Sequence, residues 1–151
     1  MGKKPVVIDM DKLPVEGKIG AHCFITSTFL KSLYENSEFG GSMVKSEYYV
    51  QMNIIINRLL DVCKVKIIVD EKDPDYFYGY IIYKELDDDV VKIYYVYTKF
   101  VHRRRGFADL LVDKYCGDSK KILYCFKTTA MLKWLEEGKN KGYNIEYVQG
   151  I

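Results

Sequence analysis

The sequence predicts one domain of mixed α/β class, a mostly antiparallel twisted sheet flanked by helices. Three observations carry this. An apolar run over 46–63 recurs at helical spacing, the period then switches to β-branched and aromatic runs over 65–100, and strand–helix alternation follows the arginines at 103–105. A chain of 151 residues suits a single domain, 1–151, with enough length for a real core.

Taken in order, "KPVVID" (4–9) is a short β-rich run, cut off by Pro14 and Gly17. "FITSTFLKSLYENSEFGG" (24–41) reads as a short helix. Thr26 and Ser27 are N-cap candidates, and the Gly40 and Gly41 pair is the stop. "SEYYVQMNIIINRLLDVC" (46–63) is the clearest helix. Met52, Ile55, Ile56, Leu59, Leu60 and Cys63 share one face, Ser46 is the cap and Glu47 lies in the first turn. "VKIIVD" (65–70) is a strand. "YFYGYIIYKEL" (76–86) and "VVKIYYVYTKF" (90–100) form a hairpin around the acidic turn 87–89. "GFADLLVDKYCG" (106–117) is a helix with Phe107, Leu110, Leu111 and Tyr115 at helical spacing and Gly117 as its stop. Then come a strand over 120–127, a helix over 128–138 and a last strand over 143–150.

Composition narrows the classes. A net charge of +2 gives no electrostatic footprint for nucleic acid, so only a local cluster would bind it. Cys23, Cys63, Cys116 and Cys125 form no CxxC pair. With two histidines in the chain a structural zinc site is disfavoured, and the thiols read as reduced and mostly buried, which fits a reducing compartment. No apolar run nears the ~18 residues of a membrane span. The first residues show neither a signal-peptide core nor, with Val6 in place of Ser or Thr, a myristoylation site. The expected location is cytoplasmic. Fourteen tyrosines need partners for their hydroxyls, so many belong at half-buried positions or along a groove.

The sharpest feature is the junction "YYVYTKFVHRRRGFADLLVD" (94–113), where a strand gives way to Arg103, Arg104, Arg105 and Gly106 before a helix. A helix start exposes backbone N–H groups without intrahelical partners, and the macrodipole adds positive potential there. Gly106 permits a positive φ or close backbone approach. With three arginines alongside, this is an anion site suited to phosphate or pyrophosphate. The plainer alternative is a solvated basic loop.

The run Arg103, Arg104, Arg105, Gly106, Phe107, Ala108 resembles the Q/R-x-x-G-x-G/A pyrophosphate loop of the GCN5-related N-acetyltransferase (GNAT) superfamily. The preceding "IYYVYTKF" is similar to that family's fourth strand and "ADLLVDKYCG" to the following helix. The likeness covers residues 64–138 and is strongest over 93–116. The segment "FITSTFLKSL" also resembles small GNAT-like proteins of tailed bacteriophages, which would place the chain in a host cytoplasm or a virion.

The resemblance implies a GNAT-like domain with a splay between the fourth and fifth strands, 90–100 and 120–127. It implies acetyl-CoA as cosubstrate. Loop residues Arg103, Arg104, Arg105, Gly106, Phe107 and Ala108 would hold the pyrophosphate, through amides 104–108. The backbone of Val96, Tyr97 and Thr98 would pair with the pantetheine arm. The acceptor would be an amine on a small molecule or protein, attacking the thioester directly.

Two departures stand out. The last loop position is Ala108, which the family pattern allows. The family's N-x-x-A-x-x-x-Y-x-x-x-G pattern, whose tyrosine acts as acid, reads Lys127, Ala130, Trp134 and Gly138 here. An indole N–H donates a hydrogen bond but is no general acid. Tyr124 and Tyr143 are substitute hydroxyls and Glu85 a candidate base, each with packing or a solvated strand end as the plainer role. The acidic turn 87–89 and His102 read as a turn and a phosphate-side or surface residue. Three functions remain open: an acetyl-CoA-dependent N-acetyltransferase, a GNAT-fold binding or structural protein without turnover (viral in one version), and a phosphate or nucleic-acid binder using residues 102–105 with Lys120 and Lys121.

Overall fold

Six strands run in sequential order across one sheet, β1 to β6, in the computed structural model, which describes residues 4–37, 42–128, 133 and 142–149. They are β1 (Pro5–Asp9), β2 (Lys64–Asp70), β3 (Phe77–Leu86), β4 (Val90–Thr98), β5 (Lys121–Tyr124) and β6 (Ile145–Tyr147). The first three junctions are antiparallel and the last two, β4 with β5 and β5 with β6, are parallel. Helices α1 (Val15–Asn36) and α2 (Lys45–Val62) cover one face and α3 (Phe107–Cys116) covers the other.

Helix α1 corrects the expectation that Thr26 and Ser27 cap a short helix. It begins at Val15, after Pro14 in extended conformation, and Thr26 and Thr28 lie in its interior. Their hydroxyls donate back to the carbonyls of His22 and Phe24, at 2.8 and 2.7 Å, which satisfies them without ending the helix. Pro14 starts the helix instead of breaking the chain, since a proline costs no hydrogen bond there. Likewise α2 begins at Lys45 behind Val44, with no side-chain cap, so Ser46 is helical. Its buried residues are Tyr48, Met52, Ile56 and Leu59, with Ile55, Leu60 and Cys63 half-buried beside them, the face the spacing marks. In α3 the inward residues are Phe107, Leu111, Val112 and Cys116. Leu110 points to solvent, because the face rotates one residue from the pattern read in the sequence.

The hairpin β3–β4 turns through Asp88 and Asp89, both at positive φ (62° and 59°), which aspartate tolerates better than most residues. Register then shifts once. Tyr83 pairs with Ile93 but Ile82 pairs with Tyr95, so Tyr94 is an extra residue, a β-bulge in β4. Its consequence is visible in the packing. Tyr94 and Tyr95 both pack in the core under α1 and α2, whereas Val91 and Ile93 pack against α3. In a regular strand neighbours would alternate. The parallel pairing with β5 stops at Ile93 with Tyr124, just before the bulge, while β4 runs on to Thr98. The two strands therefore part there, giving the expected splay.

Tyrosine hydroxyls tie this face together. Tyr80 bonds the Thr28 hydroxyl at 2.9 Å, Tyr95 bonds Ser32, and Tyr48 donates to the Leu30 carbonyl at 2.7 Å, so β3, β4 and α2 all fasten to α1. Phe29 stacks on Tyr95 with centroids 4.0 Å apart. Burial pushes the Tyr95 phenol up to about 12, so it remains a neutral hydroxyl at neutral pH. The helix expected over 128–138, Trp134 included, lies outside the described residues apart from Thr128 and Lys133.

Two outcomes follow from the packing. A Cβ on Gly79 would sit 2.3 Å from the Tyr97 carbonyl oxygen, so β3 and β4 close only around a glycine. Gly79→Ala should cost about 1–3 kcal/mol, read as a lower urea midpoint. Unchanged stability would mean that the strands relax freely. All four cysteines are free; Cys23 is exposed, whereas burial pushes the thiols of Cys116 and Cys125 up to about 12 and about 11. At pH 8 a thiol reagent should modify Cys23 first and reach Cys116 and Cys125 only after denaturation, as peptide mapping would report.

Candidate functional site

The strand–helix junction takes the form its residues call for. Lys99 leaves β4 with its amide donating to the Tyr78 carbonyl at 2.8 Å, and a single 3-10 turn, Phe100–His102, reverses the chain. Arg104 and Gly106 both adopt positive φ, 68° and 80°, and α3 begins at Phe107. Glycine takes this conformation without the Cβ penalty, and a Cβ at Gly106 would meet nothing within 4 Å. Backbone conformation, not crowding, therefore selects this glycine. The helix start has no side-chain cap, so its first-turn amides, which lack intrahelical partners, face the loop. Arg103, Arg104, Arg105 and Gly106 are all exposed.

Two of the three arginines are held, each in its own way. Arg103 donates from Nε to the Thr98 carbonyl at 3.1 Å, with its guanidinium 5.9 Å from the Tyr97 ring centre. Arg105 Nη1 lies 3.0 Å from His102 Nδ1, and Tyr76 Oη lies 2.7 Å from His102 Nε2. A guanidinium only donates, so Nδ1 accepts, and the ring is neutral with its proton on Nε2 facing Tyr76. His102 thus steadies Arg105. None of the ion pairs among the described residues uses these arginines. Phe107 is buried against the sheet and Ala108 is half-buried, so these two contribute backbone amides to the loop.

The fork continues from the loop. In an antiparallel ladder N–H and C=O of one residue point to the same side, and successive residues alternate. The Lys99 amide points to β3, as does that of Tyr97, paired with Tyr80. Val96 and Thr98 therefore turn their backbone groups toward the gap left by β5. Of the three residues expected to meet a pantetheine arm, Val96 and Thr98 turn their main chain there, with the Thr98 carbonyl already accepting from Arg103, and Tyr97 faces the sheet. The fork's strand leads along the chain, through one 3-10 turn, into the loop.

The candidate acid and base residues are scattered. Tyr124 ends β5 at the mouth of the fork, with burial raising its phenol and its ring 5.4 Å from that of Tyr147. Glu85 pairs in register with Val91 and binds Lys64 at 3.1 Å. It lies five to seven residues below positions 96–98, about 16–23 Å at ~3.3 Å per residue. Tyr143 precedes β6 and packs with the α3-side core near the same closed end. So only Tyr124 stands at the fork. Sequence reading missed the bulge residue Tyr94 and the His102 and Tyr76 support. Neither has a local signature, because both arise from pairing across the sheet. Among the described residues no group of His, Cys, Asp and Glu could hold a metal ion, and no helix is long and apolar enough to cross a membrane.

No family profile matches the chain, nor does any curated protein. Solved structures do match. A protein described as an acetyl transferase from Pyrococcus furiosus superposes with a TM-score of 0.62 at 17% identity, covering 98% of each chain. A GNAT-family acetyltransferase from Staphylococcus aureus Mu50 gives 0.54 at 15% identity, over 92% of this chain and 84% of that one. An aminoglycoside N-acetyltransferase in complex with CoA gives 0.54 at 11% identity, over 100% of this chain and 94% of that one. Identities this low speak to architecture alone. Together with the sequential six-stranded sheet, the fork after Ile93 and the helix that starts behind Gly106, they establish that this chain has the fold of the GNAT acetyltransferases.

Proposed function

We propose that the protein is an acetyl-CoA-dependent N-acetyltransferase whose acceptor is an amine on a small molecule or a protein. The observation that carries this reading is the continuity of an anion loop with an open strand edge. The loop supplies first-turn amides of α3 and three exposed arginines. The edge supplies outward backbone groups of Val96 and Thr98. A diphosphate joined to an amide-bearing arm has the same layout, anionic at one end and able to pair with a strand at the other.

Acetyl-CoA supplies the acetyl group as a thioester. The chain's part is to bind, orient and polarise. Arg104 and Arg105, with the amides of 104–108, neutralise the pyrophosphate. Val96 and Thr98 orient the arm so that its carbonyl lies near the bulge. There a β4 backbone N–H can stabilise developing negative charge, a contribution of a few kcal/mol in comparable sites. Carbon–nitrogen bond formation by an incoming amine breaks the carbon–sulfur bond. The ammonium proton leaves to water or a base, and the sulfur gains a proton from water or from Tyr124, which burial keeps protonated.

A second reading is a GNAT-fold binding or structural protein with little or no turnover. The sequence favours it at one point: Trp134 stands where the family keeps its acidic tyrosine, in a segment outside the described residues. Both readings predict coenzyme binding, and they separate on thiol release.

Calorimetry should detect acetyl-CoA binding, and Gly106→Asp should weaken it by more than about tenfold, over ~1.4 kcal/mol. Aspartate tolerates positive φ better than most residues, so the variant should remain folded by circular dichroism. Unchanged affinity in the folded variant would move the site elsewhere. With simple amines or peptides, thiol release should be slow, since loss of a positioned acid costs about 10²–10⁴-fold in rate. Fast release would reject the reading without turnover, whereas binding with no release for any amine would favour it.

A further inference from the structure

The 3-10 turn ahead of the loop carries two apolar side chains in water. Phe100 is 77% exposed and Val101 72%, and Phe100 is the most exposed large hydrophobic among the described residues. They sit between Lys99 and the arginines 103–105. The Arg103 guanidinium lies 5.4 Å from the Phe100 ring centre while its Nε is anchored on Thr98, so ring and cation are presented as one unit. Lys99 Nζ lies 4.3 Å from the Tyr76 ring centre. The ion pairs among the described residues, such as Lys64 with Glu85 and Lys121 with Glu146, use none of these cations. An aromatic and an aliphatic side chain ringed by unneutralised cations have the make-up of a protein-docking surface, with an anchor inside a charged rim.

Position decides what would dock. The patch adjoins the loop at the phosphate end of the path, in the turn that joins β4 to it, and the fork where an acetyl group would react begins at the other end, after Ile93. An acceptor meets the reacting end. A group at the phosphate end must belong to whatever carries the phosphopantetheine arm. In coenzyme A that group is a nucleotide, small and itself anionic. In a carrier protein it is an acidic surface bearing the arm on a serine. Exposed cations complement that acidity, and Phe100 with Val101 offers an apolar contact larger than a phosphate can use.

We propose that residues 99–105 form a docking surface for an acidic carrier protein that presents an acylated phosphopantetheine arm. This rests on the acetyl-transfer reading and deepens it by naming a second class of donor. Bond changes are the same for either donor: the acyl carbon leaves the arm's sulfur for an amine nitrogen, and the displaced sulfur keeps its electron pair and gains a proton.

The test uses the full chain and a purified bacterial acyl carrier protein in acetyl-holo and apo forms, beside free acetyl-CoA, at low and high salt. Phe100→Ser combined with Val101→Ser is the variant, since neither residue has a role in holding the coenzyme and both face solvent. Acetyl-holo carrier should bind, more weakly at high salt, and the double variant should lose about tenfold or more of that affinity while acetyl-CoA binding changes less than about twofold. The proposal is overturned if acetyl-CoA binds but acetyl-holo carrier binds no better than an uncharged control protein. It is equally overturned if the double variant weakens acetyl-CoA as much as carrier, which would make Phe100 a nucleotide contact. Failure of both donors to bind would overturn the acetyl-transfer reading together with this one.

Discussion

One extra residue in β4 is the constraint on which the site depends. Tyr94 interrupts the register between Ile93 and Tyr95, and the parallel ladder to β5 ends at the residue before it. A bulge adds local twist and bends its strand, so β4 cannot follow β5 past that point. The result is a sheet that is continuous at one end and forked at the other. A strand edge inside a fold is normally a liability, because its main-chain groups lack partners. Here the edge presented by Val96 and Thr98 leads directly to a loop whose amides also lack intrahelical partners. The outward backbone of Val96 and Thr98, with the Thr98 carbonyl taken by Arg103, thus lies next in the chain to the exposed arginines and the start of α3.

A fork is useful only if its strands hold still, and the aromatic core supplies that rigidity. Tyr80 and Tyr95 reach from the sheet to hydroxyls on α1, and Tyr48 reaches from α2 to an α1 carbonyl. Phe29 lies flat on Tyr95, one residue past the bulge. Each buried phenol is thereby satisfied, as burial of a polar group demands. Burial disfavours the phenolate of all three, leaving them neutral hydroxyls that anchor the packing. Against the opposite face, Phe107 and Leu111 seat α3 on Tyr78, Ile81 and Ile93, which sets the helix start level with the open end. The high tyrosine content thus serves packing with polar anchoring more than a groove lining.

Charge is distributed with a similar division. Ion pairs brace the flanks, as between Lys66 and Asp9 at 2.8 Å, where the lysine holds the Asp9 carboxyl below its usual range. Arg103 and Arg105 are instead tied to a carbonyl, a neutral histidine and aromatic faces. Such partners orient a cation without neutralising it, so the loop keeps its positive potential toward solvent. That distinction explains how a chain of net charge +2 can keep a local cluster of cations outside its ion pairs.

By itself the sequence determined what depends on neighbours along the chain. Apolar periodicity marked α2 and the β3–β4 hairpin, and Gly106 between arginines and an apolar run marked the start of α3, each because the information lies within a few residues. It misled where two local meanings compete. Pro14 reads as a break but starts α1, and Thr26 and Ser27 read as caps but lie inside the helix, since longer-range burial of Ile25 and Phe29 outweighs the local preference. Tertiary structure alone decided the bulge at Tyr94, the outward turn of Val96 and Thr98, the support of Arg105 by His102 and Tyr76, and the removal of Glu85 to the closed end. These are matters of register between strands distant in sequence. A one-residue shift in pairing changes which groups face the gap while leaving every residue in place along the chain.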